Sequence, residues 1–150
     1  MTTSSTARPP AAATRVRSLL QADPARQAFV MLRTVFTLAP VLFGLDKFAN
    51  VLTDWPMYLA PRLNDLLPGS GQQAMYVVGV VEVVAGLAVA VRPRFGAPLV
   101  ALWLLGIVVD LLLVPGFYDV ALRDVGLFVA AVALWRLAVA QSGTRSPSLP

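Results

Sequence analysis

Four long apolar stretches constrain this chain more than any other feature of its sequence. Each contains about 18–22 residues, which at ~1.5 Å per residue in a helix is enough to cross a hydrocarbon layer about 30 Å thick. None alternates polar and apolar residues with the period of two that a membrane barrel requires, and a helix satisfies its own backbone hydrogen bonds in lipid. The sequence therefore predicts an all-α fold, a bundle of four transmembrane helices. The stretches cover residues 27–48, 74–91, 95–114 and 119–140.

The composition agrees with this prediction and excludes several classes of protein. Counting glycine and leaving out tyrosine, about 62% of the residues are apolar, against roughly 45–50% in soluble domains. The chain has no cysteine and no histidine, so we expect no disulfide, no metal site and no cofactor held by those residues. The net charge is +4, but the basic residues do not cluster with aromatic side chains that could stack on bases, so no nucleic acid partner is expected.

The two ends of the chain contain few large apolar side chains and predict disordered tails over residues 1–26 and 141–150. Residues 27–140 between them form the predicted membrane domain. Arginine is concentrated in the N-terminal tail, the second connection and the C-terminal end, whereas the first connection contains only Arg62 and the third contains none. By the positive-inside rule, both termini are predicted to be cytoplasmic.

The first connection combines aromatic and leucine side chains with three prolines. We expect it to lie along the membrane interface, with Trp55 and Tyr58 at the level of the lipid headgroups; a lid over a pocket is the alternative. Ser70 and Gln73 have the spacing of a capping box and predict the start of the second helix there.

Ionisable side chains interrupt every apolar stretch. At the centre of a bilayer, an Asp, Lys or Arg that faces lipid costs roughly 2.5–3.5 kcal/mol, so we expect these side chains to face the bundle interior. Glycines share their helix faces, which favours close packing of the helices there. The charged residues are Arg33, Asp46, Lys47, Glu82, Asp110, Arg123 and Asp124, and the glycines are Gly44, Gly79, Gly86, Gly106 and Gly126.

Residue counting along each predicted helix brings charges from all four helices together in the outer half of the bundle. Asp110 and Arg123 match best in depth and are expected to pair, while Asp46 and Lys47 lie near the outer helix end and are expected to be solvated. Glu82 has no cation at its own depth and is the candidate for a protonated carboxyl group. Arg33, near the inner boundary, is expected either to extend toward the interface or to reach Glu82. The alternative for all of them is structural, with buried ion pairs that only fix the helix register.

These features resemble the DoxX-like family of small four-helix membrane proteins. The resemblance covers residues 33–138 and rests on Arg33, the GLDKF stretch at 44–48, EVVAG at 82–86 followed by Arg92, and LRDVGLFVAAVAL at 122–134. Family members often have a histidine toward the outer end of the third helix, where this chain has Asp110. The resemblance implies a multi-pass protein of a bacterial plasma membrane that works with a soluble or membrane redox protein, in a family named after a quinone-reducing complex.

Three functions remain open from the sequence, which does not decide whether the chain is an enzyme. The first is a quinone- or lipophilic-ligand-binding subunit of a membrane-associated redox complex, in which cationic side chains donate to carbonyl oxygens and carboxyls handle protons. The second is a non-catalytic membrane scaffold or assembly protein. The third is a proton-coupled small-molecule carrier, which would need a homo-oligomer to enclose a pathway. The candidate ligand-binding or proton-handling residues are Glu82, Asp110, Arg123, Asp124, Lys47 and Arg33.

Overall fold

The structure, a computed structural model, describes residues 23–61 and 69–143, and within these ranges it contains helices and no strand. Each of the four long helices is long and apolar enough to cross a membrane. The predicted all-α fold of four such helices is confirmed, whereas residues 1–22 and 144–150 of the predicted tails lie outside the described residues. The helices are α1 (Pro24–Ala49), α2 (Gly71–Val91), α3 (Pro93–Leu112) and α4 (Tyr118–Gly143), with a short 3-10 helix (Trp55–Tyr58) between α1 and α2.

Local capping groups explain where the helices begin. α1 starts at Pro24, three residues before the predicted stretch, because the Asp23 carboxylate accepts a hydrogen bond from the Ala25 N–H and proline suits the first helical position. The capping box predicted at Ser70 and Gln73 is confirmed, and α2 starts directly after it. α4 continues to Gly143, so a few residues at the inner edge of each predicted tail are helical.

The helices run up and down, and we call their two ends the basal end and the cap end. α1 begins, α2 ends, α3 begins and α4 ends at the basal end. α1 packs mainly on α2, and α3 mainly on α4. The basal half contains a continuous apolar core, whose members include Phe36, Val89, Val100, Leu104 and Leu134.

Close packing at glycines joins α1 to α2 but not α3 to α4. A Cβ atom added at Gly44 would lie 2.6 Å from the Gly79 carbonyl oxygen, and one added at Gly79 would lie 2.5 Å from the Gly44 carbonyl oxygen. The predicted packing face is therefore confirmed for these two glycines and for Gly86, where an added Cβ would lie 2.8 Å from the Thr37 carbonyl oxygen on α1. It is wrong for Gly106 and Gly126, where an added Cβ would meet nothing within 4 Å, because α3 and α4 pack through alanine and leucine faces instead.

Large apolar side chains cover the outside of the bundle on all four helices. Met31, Leu102 and Leu122 are each about two-thirds or more exposed. An apolar exterior of this extent is unfavourable in water. It therefore supports the same conclusion as the lengths of the helices, which suit a multi-pass membrane protein.

Candidate functional site

A buried ion pair occupies the cap half of the bundle. The Lys47 ammonium nitrogen lies 2.7 Å from the Glu82 carboxylate oxygen, and the two residues are only 4% and 7% exposed. The expectation that Lys47 is solvated is wrong, and so is the expectation that Glu82 has no cation at its own depth.

The pair forms because the two side chains point toward each other along antiparallel helices. A helical side chain tilts toward the N-terminus of its own helix. Lys47, in the last turn of α1, therefore points into the bundle, while Glu82 in the middle of α2 points toward the cap end. The close Gly44–Gly79 contact brings the two helices near enough for the groups to meet.

A second buried carboxylate lies beside this pair. Asp124 is 6% exposed and interacts electrostatically with Glu82. Its hydrogen-bond donor is the Arg123 Nε at 3.4 Å, although the Arg123 side chain is 68% exposed. The predicted Asp110–Arg123 pair does not form, because the long Arg123 side chain bends back to its sequence neighbour.

An indole group completes the interior of the cluster. The Trp103 N–H is buried and makes no hydrogen bond of standard geometry, but it interacts with the Glu82 carboxylate. We call Lys47, Glu82, Trp103 and Asp124 the polar cluster. It combines two carboxylates with one buried ammonium group, so it has the capacity to accept one more proton or hydrogen-bond donor.

The chain after α1 folds over the polar cluster, and we call residues 50–60 the cap segment. The Asp46 carboxylate accepts hydrogen bonds from the Val51 and Leu52 N–H groups, each at 3.1 Å, and from the Trp55 indole at 2.7 Å. The Trp55 ring lies over Lys47, with 3.7 Å between the ammonium nitrogen and the ring centroid. This is a cation–π contact, so an aromatic ring covers the buried Lys47 cation.

Two further contacts fasten the cap segment to the other side of the bundle. The Tyr58 and Phe117 ring centroids are 4.8 Å apart. The Asp110 carboxylate accepts a hydrogen bond of 2.9 Å from the backbone N–H of Ala60, which is fully buried. Asp110 therefore holds the cap segment on α3 and is not part of the polar cluster.

Arg33 lies away from the polar cluster, in the basal half. It is fourteen residues before Lys47 on α1, about 21 Å along the helix. Its guanidinium donates a hydrogen bond to the Ala90 carbonyl oxygen in the last turn of α2. The expectation that it reaches Glu82 is wrong, because its side chain tilts toward the basal end.

Sequence reasoning missed the role of three residues in the cap half. Asp46 is expected at a solvated helix end and Trp55 at the lipid headgroups, but neither the hydrogen bond between them nor the cover of Lys47 by Trp55 is predicted, and no contact is predicted for Trp103. Trp103 shares a helix face with Asp110, which was a weak signal. No spacing rule links Asp46 to a tryptophan nine residues later, since the intervening chain has left the helix.

The described residues contain no group of three or more acidic, histidine or cysteine side chains that could hold a metal ion. Comparison of the chain with protein families, curated proteins and solved structures gives no significant match. The site is therefore interpreted from its own geometry: an ammonium donor, two carboxylates and an indole, enclosed in an apolar bundle and covered by an aromatic ring.

Proposed function

We propose that this chain is a DoxX-like protein of a bacterial plasma membrane, and that its polar cluster binds the head of a quinone or similar lipophilic ligand as part of a membrane-associated redox complex. The observation that carries the proposal is the buried Lys47–Glu82 pair under the Trp55 ring. Ligands of this kind bind in largely apolar surroundings with a few convergent polar groups.

Energetics argue that the pair has a use beyond stability. Two charges removed from water lose hydration that their mutual attraction often fails to restore, and apolar residues of similar volume frequently serve the fold as well or better. The additional carboxylate of Asp124 increases this cost, because its own cation, Arg123, is largely exposed. A site retained at such a cost is more often functional than structural.

The chemistry of the polar cluster suits a quinone head. The Lys47 ammonium can donate to a carbonyl oxygen, and a neighbouring carboxyl can supply a proton when that oxygen gains electrons. The electrons would come from a redox partner protein, since the chain has no cysteine or histidine to hold a redox centre.

The Trp55 ring supports the choice of a planar ligand. It already stacks over the Lys47 ammonium, so the space above this cation accepts a flat aromatic ring. A quinone ring entering there would replace Trp55, and the cap segment would act as the lid over the site.

The orientation of the protein follows from its charges. Five arginines lie in the basal half among the described residues, and six of the seven acidic residues lie in the cap half. By the positive-inside rule the basal end faces the cytoplasm. The cap segment then lies at the opposite surface, with Trp55 and Tyr58 at the level of the headgroups.

The test is equilibrium binding of short-chain menaquinone and ubiquinone analogues to the full chain in detergent micelles. We expect saturable binding by the wild type, at least a tenfold weaker affinity for Lys47→Met and Glu82→Gln, and no change for Asp119→Asn, an exposed carboxylate in the same half. A wild-type protein that binds none of the analogues overturns the proposal, as does equal binding by all variants.

A scaffold function is the competing proposal, and the contacts of Asp46 and Asp110 with the cap segment favour it. A scaffold would need the shape of the cap segment but not the ionised pair. In cells, Glu82→Gln would then behave as the wild type while changes at Trp55 abolish function. Mass spectrometry of lipid-soluble molecules that co-purify with the protein separates the two proposals, because only the quinone-binding proposal requires a bound lipophilic molecule.

A further inference from the structure

A second polar feature lies in the basal half, away from the polar cluster. A groove of about 310 Å³ runs between α1 and the last turn of α2. Its lining residues are Val30, Arg33, Thr34, Thr37, Leu38 and Ala90. We call it the Arg33 groove.

The charged centre of the Arg33 groove has more hydrogen-bond donors than the described residues accept. The Arg33 guanidinium carries five N–H donors, and within the described chain it donates to one acceptor, the Ala90 carbonyl. The hydroxyl groups of Thr34 and Thr37 lie on the same face of α1, and neither makes a side-chain hydrogen bond to another described residue. An arginine in a membrane span needs acceptors for its donors.

The walls of the groove face outward. Val30 and Leu38, one turn to either side of Arg33 and Thr34, are each more than half exposed. In a membrane-spanning bundle this surface meets acyl chains, so an occupant must combine an acceptor-rich anionic group with an apolar body. A phosphate diester attached to acyl chains has this combination, and arginine binds its oxygens in a bidentate manner.

From these observations we infer that the Arg33 groove binds one phospholipid with an anionic headgroup, whose phosphate pairs with the Arg33 guanidinium. Selectivity for a net negative headgroup follows from the surrounding charge: Arg26, Arg92, Arg94 and Arg136 also lie in the basal half, where Asp23 is the one described acidic residue. Basic pockets between membrane helices are recognised sites for such lipids. The inference does not depend on a ligand in the polar cluster.

The test is native mass spectrometry of the full chain released from two micelle preparations, one with phosphatidylglycerol and one with the same amount of phosphatidylcholine. We expect one retained phosphatidylglycerol per chain and about tenfold weaker retention for Arg33→Gln, since a charge-assisted hydrogen bond is lost. Thr37→Val, which keeps the side-chain volume and removes a hydroxyl, should weaken retention by a few-fold. Arg136→Gln is the matched control, because it removes the same charge from an exposed position on α4 outside the groove.

Two results would overturn the inference. If Arg33→Gln and Arg136→Gln reduce the retention of phosphatidylglycerol equally, the lipid responds only to the total charge of the basal half. Equal retention of phosphatidylcholine would remove the anionic selectivity. If Arg33→Gln fails to fold, two other measurements carry the test. Thr37→Val should weaken the retention of phosphatidylglycerol, and the melting temperature of the wild type should rise with phosphatidylglycerol but not with inorganic phosphate. A melting temperature that rises with inorganic phosphate alone counts against a lipid. Quinone binding should be the same in wild type and Thr37→Val, so the two proposals can fail separately.

Discussion

Lys47 lies in the last turn of α1, yet its ammonium group points into the bundle. A lysine at this position could extend to the membrane surface, where its charge would keep its hydration. Two contacts, with the Glu82 carboxylate and with the Trp55 ring, favour the inward conformation instead, and so does the direction in which a helix projects its side chains. The outcome is a buried charge whose removal leaves its partner unpaired.

The cost of separating this pair is the first prediction. Lys47→Met should lower the free energy of unfolding in mixed micelles by roughly 3–5 kcal/mol, because it leaves the Glu82 carboxylate buried without a cation. The double variant Lys47→Met/Glu82→Leu should recover most of that loss, since two apolar side chains of similar volume need no partner. The measurement is a double-mutant cycle of reversible unfolding.

Ligand binding supplies the complementary measurement on the same variants. The double variant should be stable and yet fail to bind the quinone analogues, which separates the structural contribution of the pair from its use. Asp119→Asn, an exposed carboxylate, should change neither quantity. A Lys47→Met protein as stable as the wild type would show that the pair is not maintained in the micelle.

The interface between α1 and α2 depends on the absence of side-chain atoms at three glycines, of which Gly44 and Gly79 lie beside the ion pair. Gly44 and Gly79 approach each other so closely that a Cβ on either would meet the other's carbonyl oxygen. A Cβ at Gly79 would also lie 3.2 Å from the Lys47 Cβ. The spacing of these helices and the position of the ion pair are therefore set at the same contact.

Alanine substitution at matched glycines is the second prediction. Gly79→Ala should destabilise the bundle and weaken ligand binding together, because α1 and α2 must move apart. Gly106→Ala places the same methyl group in open space on α3, so it should be neutral or stabilising by up to about 1 kcal/mol from its better helix propensity. Thermal unfolding of the two variants in the same detergent compares them directly, and equal effects would contradict the α1–α2 contact.

The helices could be predicted from the sequence, but the contacts of the site could not, and the reasons are physical. Apolar length and the capping residues Ser70 and Gln73 are local properties, so they locate α2 almost to the residue. The Lys47–Glu82 pair depends on side-chain direction across two antiparallel helices, which residue counting from the helix ends ignores. Trp55 reaches Lys47 through an irregular segment, for which no periodicity exists.

Charge is distributed unevenly over the whole molecule. Among the described residues, the basal half holds five arginines and Asp23, whereas the cap half holds Lys47, Arg123 and six acidic residues. Each half therefore carries a charge of opposite sign. The five basal arginines, rather than the acidic residues, give an inserted bundle a preference for one orientation.

Cysteine labelling of intact cells tests this orientation, and the absence of natural cysteine allows single substitutions without background. Asp54→Cys in the cap segment should react with a membrane-impermeant maleimide from outside, whereas Ser142→Cys near the end of α4 and Arg94→Cys at the α2–α3 corner should react only after permeabilisation. All three positions are exposed. The reverse pattern would place the cap segment in the cytoplasm, and a ligand would then reach Lys47 from the cytoplasmic leaflet. Different behaviour of Ser142→Cys and Arg94→Cys would contradict four spans, because α3 and α4 together must return the chain to the side on which α3 began.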